Sequence, residues 1–518
     1  MNSRLWIPCL CVLVLACSGS SEKSDAQSDA SLDLPGFPDV PDGQDVPHDQ
    51  QGADVAPDNG EVPEFGWPAD WAAVCPEWSE DWPTLAQKTG FLDELVVNQH
   101  LVDGLLRTVT LDDQGQVKAL HQLPSSGLWT AMYLASQSYR WATTGEPQAL
   151  ENARKAVEGL HHLTAVTGSS GLYGRSYHRP DFDYAQQPSP GAAWTESTVP
   201  GYEGWWFNFT VSKDTMDGIM YGYATALELL EDEEILATVK GDVLAFAHHL
   251  VDNGLQIIDY DGKVTEHGRM YYSAMDDFPG FNAILVAAWL QVALQAGAGP
   301  DIEHFYYDCL MRVGDMSDCP DIEVADLGSY MDAIETMLSL YMYDCKTNFD
   351  HFDMVFQAVE PLLKRETHPE LRQRLRSVLD VGIWKSGDPL SDPSVAESTH
   401  ALYIFMYGAL AGKQPGDTIF DKAHQDSICS LYAIPQDRSD LDVLSGTQEG
   451  VCLNRFGNPN ASQPIPVRQR YFDNYLWRLD AYEVPIEHTG NPDMVHSPED
   501  YLLAYWMGRY YGFISPDM

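Results

Sequence analysis

Ser212-Lys213-Asp214-Thr215-Met216-Asp217-Gly218 places two carboxylates three residues apart at the start of an apolar stripe. Residues three apart in a helix lie one above the other, so Asp214 and Asp217 share a face with Tyr221. Two acids on one rim can divide general acid/base work, one carboxyl protonating a leaving oxygen and another activating water, as glycoside hydrolysis requires. They can equally serve a helix without substrate, because first-turn acids stabilise its dipole by about 0.3–1 kcal/mol. Asp276-Asp277 stand before Phe278-Pro279-Gly280 at another helix mouth, where Asp277 is the candidate opposing carboxylate and capping is the competing use. Glu397, Thr399 and His400 make a third polar cluster, with Glu397 a candidate acid and His400 a candidate ligand for a sugar hydroxyl. A lone histidine at a helix start also commonly has a structural role.

Cations concentrate in two long connections: Arg175, His178 and Arg179 in one, His267 and Arg269 beside Tyr271 in the other. A guanidinium can take a uronic-acid carboxylate through two parallel hydrogen bonds, and it can as well satisfy a neighbour such as Asp181 or Asp183. The first connection also carries Tyr177, Trp194, Tyr202, Trp205, Trp206 and Phe207. Their flat faces suit stacking of a sugar ring or simple packing. The sequence has no His-Glu-x-x-His, no Gly-x-x-x-x-Gly-Lys and no Gly-x-Ser-x-Gly, so zinc peptidase, phosphate-loop and nucleophile-elbow chemistries are set aside. No metal and no cofactor is expected.

The elements that must position these residues begin after an export signal. Arg4 precedes an apolar run over 5–16 that ends Val14-Leu15-Ala16-Cys17, a signal peptide with a lipobox and too short to span a bilayer. Residues 1–16 are thus expected to be removed and Cys17 to carry lipid, with Ser18 after it resembling lipoproteins of the outer membrane. Over 17–66 the chain is Asp, Pro, Val, Gly, Ser and Gln with little aliphatic bulk, a solvated acidic spacer. The 77 acidic against 30 basic residues give a net charge of -47, an excess that the folded part shares. Nucleic acid is disfavoured as a partner by that field. Six cysteines remain beyond Cys17 in an oxidising compartment, which points to disulfides; Cys309 with Cys319 and Cys429 with Cys452 are the local pairs.

Residues 67–518 read as one helical domain. Leu128, Met132, Ala135, Tyr139 and Ala142 step by four and three, and Leu150, Ala153, Val157 and Leu160 repeat the pattern after Gly145 and Pro147, a helix stop and a helix start. Ile219, Tyr223, Leu227 and Leu230, then Leu236, Val239, Val243, Phe246 and Leu250 after a capping Asp232, form a second αα-hairpin. Further stripes fall near 281–296, 328–344, 349–364, 369–381, 396–411 and 499–511. The connections 168–212, 255–278 and 430–490 are long, and long loops in compact domains are usually functional. Within one, 256–264 turns at Asp261-Gly262 as a β-hairpin.

Gly127-Leu128-Trp129-Thr130-Ala131-Met132, Thr144-Gly145-Glu146-Pro147, Gly171-Leu172-Tyr173-Gly174-Arg175-Ser176 and the closing Asp500-Tyr501-Leu502-Leu503-Ala504-Tyr505-Trp506 resemble the six-hairpin glycosidase-like superfamily. The resemblance covers most of 85–512. It implies an all-α fold, an (α/α)6 toroid, here with long inter-hairpin loops and the minor β-hairpin, and carbohydrate processing, which with the lipobox gives a carbohydrate-processing lipoprotein of the cell envelope. A glycoside hydrolase with Asp214, Asp217, Asp277 and Glu397 as the acids is the first reading. Arg175, Tyr177, Trp194, Trp206, His267, Arg269, Tyr271 and His400 are then substrate-binding. The alternatives are a polysaccharide lyase, in which Tyr271 or His267 abstracts a proton beside Arg175 or Arg269, and a surface protein that binds glycan or protein without turnover.

Overall fold

The computed structural model describes residues 65–518 except 66–67, 69, 122, 191–192, 276–277, 321–327, 339–344, 386–394 and 472–473. Cys17, the acidic spacer and Asp277 therefore lie outside the described residues. Thirteen α-helices are present among those described: α1 (Leu85–Leu95), α2 (Ser126–Thr144), α3 (Pro147–Ala165), α4 (Lys213–Leu229), α5 (Glu233–Asp252), α6 (Pro279–Gln295), α7 (Pro300–His304), α8 (Tyr330–Glu335), α9 (Phe349–Arg365), α10 (Pro369–Ser377), α11 (Ala401–Ala411), α12 (Thr418–Ala433) and α13 (Glu499–Tyr510). Helices α7 and α10 run on in wider turns over Phe305–Leu310 and Val378–Trp384.

Six of these helices close a ring. Each of α2, α4, α6, α9, α11 and α13 packs on the next, and α13 returns to α2. Outside them lie α3, α5, α7, α10 and α12, and the sixth outer partner is α1, which comes from the opposite end of the domain to pack on α13. The result is an all-α toroid of six helical hairpins, the (α/α)6 architecture. Sequence explains which helices go inside. In α6 every residue from Gly280 to Ala293 is buried, whereas α3 buries Ala149, Ala153, Ala156, Val157, Leu160 and Leu163 and turns Glu151, Lys155 and Glu158 to solvent. A helix apolar all round needs neighbours all round, while one with a single stripe suits the outer layer.

Local signals act as read. Gly145 ends α2 in the left-handed conformation, Pro147 opens α3, and the Asp232 side chain accepts from the Glu234 and Ile235 amides to start α5. Inner helices approach closely where side chains are small: a Cβ on Gly222 of α4 would stand 2.5 Å from the Ala131 carbonyl oxygen of α2.

The ring is fastened where its two ends meet. Ala86 donates from its amide to the Met518 carbonyl at 3.0 Å, and the Tyr501 hydroxyl donates to Leu85 O at 3.0 Å. Buried Lys88 of α1 donates to the carbonyls of Leu431, Tyr432 and Ile434 at 2.7–2.8 Å, satisfying the open C-terminal end of α12. Cys75 and Cys429 are joined beside it. The local pair Cys309–Cys319 forms, but Cys429 and Cys452 do not pair; Cys452 joins Cys345. Closure of the ring brings partners 354 and 107 residues away nearer than the local one.

The long connections hold more strand than the single expected hairpin. β1 (Val109–Leu111), β2 (Val117–Leu120) and the late β10 (Met494–Val495) form one sheet, and β3 (Ser176–His178), β4 (Trp194–Glu196) and β5 (Trp206–Asn208) a second. The hairpin read near 256–264 is present as β6 (Gln256–Ile258) and β7 (Val264–Arg269), and β8 (Gly450–Leu453) pairs with β9 (Pro459–Ala461). Strands of two to six residues carry too little alternation to be seen in a sequence. Among the described residues no helix is long and apolar enough to cross a membrane.

Candidate active site

The inner helices α2, α4 and α9 begin at a cavity of about 700 Å³. Ser125 and Trp129 from α2, Lys213 and Asp214 from α4, and Asp350, His351, Asp353 and Gln357 from α9 form its wall. The β6–β7 hairpin adds Glu266, His267 and Arg269, and the loop before α13 adds Asn474 and Arg478. Helix starts bring amide donors and a positive dipole end to one place, which favours carboxylates in their first turns.

Asp353 is the most perturbed of the wall carboxyls. It is 4% exposed, and burial, reinforced by the charge of Asp350, pushes its carboxyl up to about 8. Gln357 donates to one of its oxygens at 2.5 Å. The Tyr403 hydroxyl lies 3.2 Å from the other, and 2.6 Å from the Trp477 carbonyl. A phenol has one proton, and the carbonyl can only accept, so a protonated Asp353 completes this arrangement by donating. Asp350, one turn earlier on the same face, pairs with Arg478 at 3.5 Å and remains open to the cavity. Desolvation in the concave wall, with the charge of Asp214 adding to it, raises its carboxyl too, against the pull of Arg478.

The basic groups are held differently. Lys213 donates to Asn282 Oδ1 at 2.8 Å and lies 5.4 Å over the Phe281 ring; burial lowers its ammonium to about 8. His351 stacks on Phe281 at 4.4 Å, and burial, with Lys213 and Arg455 nearby, lowers it to about 4, leaving a neutral imidazole. Trp129 stacks on Tyr475 at 4.8 Å with the Arg478 guanidinium 5.8 Å from its ring.

Of the acids read from the sequence, Asp214 stands in the cavity wall. Asp217 does not: at 1% exposure it lies under the wall, accepting from the Trp289 indole at 3.0 Å, and burial holds its carboxyl well above the usual range, with the charges of Asp353 and Asp214 adding to it. The helical step that aligns the two acids also sends the second one inward. Glu397 is exposed and is not a wall residue; its charge acts on Tyr482 instead. Asp277 is outside the described residues.

The binding residues divide in the same way. His267 and Arg269 face the cavity. Arg175 reaches its edge, 3.4 Å from Ser125 Oγ. Tyr177 is fully buried and donates to the Asp103 carbonyl at 2.9 Å. Trp194 and Trp206 belong to the β3–β5–β4 sheet and line no part of the cavity, and Tyr271 contributes only its carbonyl, to Asn282. His400 is buried among Phe349, Tyr403 and Trp477 and kept neutral by burial, a packing role. Arg179 pairs with Asp181 at 2.8 Å.

Asp350, Asp353, Lys213 and Arg478 went unread. A signal for the first two existed: Asp350 and Asp353 repeat the spacing of Asp214 and Asp217 at another inner-helix start. One potential metal-ligand cluster occurs among the described residues, His304 with Cys309 and Cys319, and its two sulfurs are joined to each other.

No protein-family model and no curated protein matches the chain. Solved structures do. A sugar epimerase from a ruminal bacterium aligns over 83% of this chain and 98% of its own, with 9% identity and a TM-score of 0.40. A family 76 glycoside hydrolase (mannosidase) from Bacteroides thetaiotaomicron aligns over 83% and 98% with 10% identity and a TM-score of 0.39. A cellobiose 2-epimerase from Bacillus thermoamylovorans aligns over 82% and 98%, with 10% identity and a TM-score of 0.38. These likenesses are distant, and the chemistry of the cavity rests on its own residues.

Proposed function

We propose that this chain is a carbohydrate-processing enzyme of the cell envelope, a glycoside hydrolase with Asp353 as acid and Asp214 as the carboxylate that activates water. The observation that carries the reading is the position of Asp353, a buried wall carboxyl raised by burial to about 8, in the same cavity as Asp214 of α4. Protonation of a glycosidic oxygen needs such a group, and the attack of water needs a second, ionised one. Trp129 supplies an aromatic face, while Asn348, Gln357 and Asn474 supply amides for sugar hydroxyls. Asp350 sits beside the acid and keeps its proton on.

A lyase is the second reading, favoured by His267 and Arg269 in the same wall: histidine as base, arginine as the partner of a uronate. Incubating the domain with neutral and uronate oligosaccharides separates the two. New reducing ends without ultraviolet absorbance, lost in Asp353→Asn and Asp214→Asn, support hydrolysis; absorbance from an unsaturated product in the wild type overturns it. Failure of every oligosaccharide to be cleaved favours the binding-protein alternative.

The lipobox reading supports a lipid on Cys17 and attachment to the outer membrane through the acidic spacer. Cys17→Ala should abolish labelling by a fatty-acid probe and release the protein from the membrane fraction.

A further inference from the structure

The whole chain carries 77 acidic and 30 basic residues, yet the cavity wall does not share that balance. Its basic side chains are Lys213, Arg269 and Arg478, with His267 and His351 beside them; its acidic ones are Asp214, Glu266, Asp350 and Asp353. Arg478 is matched with Asp350, and Asp353 carries its proton at neutral pH. Asp214 and Glu266 are then left to face Lys213 and Arg269, a wall near neutrality inside a strongly anionic molecule.

Arg269 stands apart from the other cations. Lys213 is held by Asn282 and Phe281, and Arg478 by Asp350 and Trp129. The exposed Arg269 side chain, at the end of β7 facing the cavity, has no carboxylate within ion-pair distance among the described residues. Its backbone is fixed, since the Arg269 carbonyl accepts from Asn282 at 3.1 Å and Gln256 pairs with it across the hairpin. A second guanidinium lies outside the lining but within electrostatic reach of it. Arg455, over Phe456 at 5.0 Å, sits in the turn of the β8–β9 hairpin, and its charge is felt by both Asp350 and His351. The Cys345–Cys452 bond and the Lys346–Asn454 contact at 2.9 Å tie that turn to the segment entering α9.

We infer that the cavity takes an acidic sugar, with Arg269 binding an anionic group on the ring at the reaction centre and Arg455 meeting the next charged unit outside the lining. The inference rests on the cavity's being the sugar site. An exposed guanidinium on a fixed strand, with no carboxylate at ion-pair distance among the described residues, matches a carboxylate or sulfate oxygen pair, and neutral sugars offer it only hydroxyls. In an acidic molecule such a group also overcomes the general field that repels anions.

The test is direct binding by calorimetry in an Asp353→Asn background, which removes turnover, alone and with Arg269→Gln or Arg455→Gln added. The probes are tri-galacturonate for the carboxylate, a sulfated heparin-derived tetrasaccharide for the sulfate, and mannotriose and cellotriose as neutral partners. At least one acidic probe should bind about tenfold or more tightly than the neutral ones, weaken as salt is raised, and lose about tenfold in Arg269→Gln with a smaller loss in Arg455→Gln. The probe that binds tells carboxylate from sulfate. Equal or tighter binding of a neutral probe, no saturable binding of either acidic one, or acidic binding unchanged in Arg269→Gln overturns the inference. Binding is read without turnover, so cleavage of a neutral glycan by the wild type sinks this inference and leaves the hydrolase, while acidic binding without cleavage by the wild type does the reverse.

Discussion

Asp350 and Asp353 lie one helical turn apart on α9 and occupy opposite electrostatic situations: the first is open to the cavity and paired with Arg478 at 3.5 Å, the second is 4% exposed and raised to about 8. The ionised neighbour helps keep the buried one protonated. This division gives Asp353→Asn a double signature. Hydrolysis should fall by about 10²–10⁴-fold. Stability should change with the opposite sign, because the native state keeps a proton that the unfolded chain releases between about 4 and about 8, so wild-type stability falls as pH rises through that window. Denaturant titrations from pH 4 to pH 9 should show a shallower decline in Asp353→Asn, and activity of the wild type should fall above pH 8. Parallel stability profiles in the two proteins contradict the assignment.

Arg107 is a structural counterpart. Its guanidinium is wholly buried and reaches Asp103 at 2.7 Å, Ser176 Oγ at 2.7 Å, the Tyr177 carbonyl at 2.7 Å and Ser126 Oγ at 3.1 Å. It ties the start of α2 to β3. Arg107→Met leaves Asp103 buried with only Tyr184 and its own loop as partners and should cost about 3–5 kcal/mol. Asp103→Asn with Arg107→Met should cost less than the two single losses combined, measured by chemical denaturation.

Two glycines in helices make opposite predictions. At Gly222 a Cβ would meet the Ala131 carbonyl oxygen at 2.5 Å, so Gly222→Ala forces α4 away from α2 and should cost about 1–3 kcal/mol. At Gly241 on the exposed side of α5 nothing lies within 4 Å, and Gly241→Ala should gain about 0.5–1 kcal/mol from helix propensity. Thermal midpoints moving the same way in both variants speak against the packing account.

The Cys75–Cys429 bond closes a loop of 354 residues at the seam of the ring. Cys75→Ser with Cys429→Ser should lower stability by about 2–4 kcal/mol. Proteolysis of the variant should begin near Cys75 and α1, where the seam opens, and a first cut elsewhere would count against the seam as the weak point.

Much of the architecture was legible because helices announce themselves locally. Stripes such as Leu128, Met132, Ala135 and Tyr139, a left-handed stop at Gly145 and a cap at Asp232 depend on neighbours within a few residues, and the structure places a helix, a stop and a cap there. The strands were not legible because two to six residues carry too little alternation, and one of them depends on a distant partner, β1 pairing with β10 across nearly the whole domain; α1 likewise packs on α13 from the other end of the chain.

The chemistry divides differently. Acids at helix starts follow from local sequence, since first-turn carboxylates suit the helix dipole whatever surrounds them. Only ring closure decided which acids face the cavity. Asp214 and Asp217 have the same spacing as Asp350 and Asp353, yet on α4 the second acid is turned under Trp289, and on α9 the second acid enters the wall. Disulfides follow the same rule: Cys309–Cys319 is a matter of chain proximity, and Cys75–Cys429 exists because two ends of a ring must meet. Local periodicity specifies each helix, but the rotation of one helix against the next is set by packing among all six.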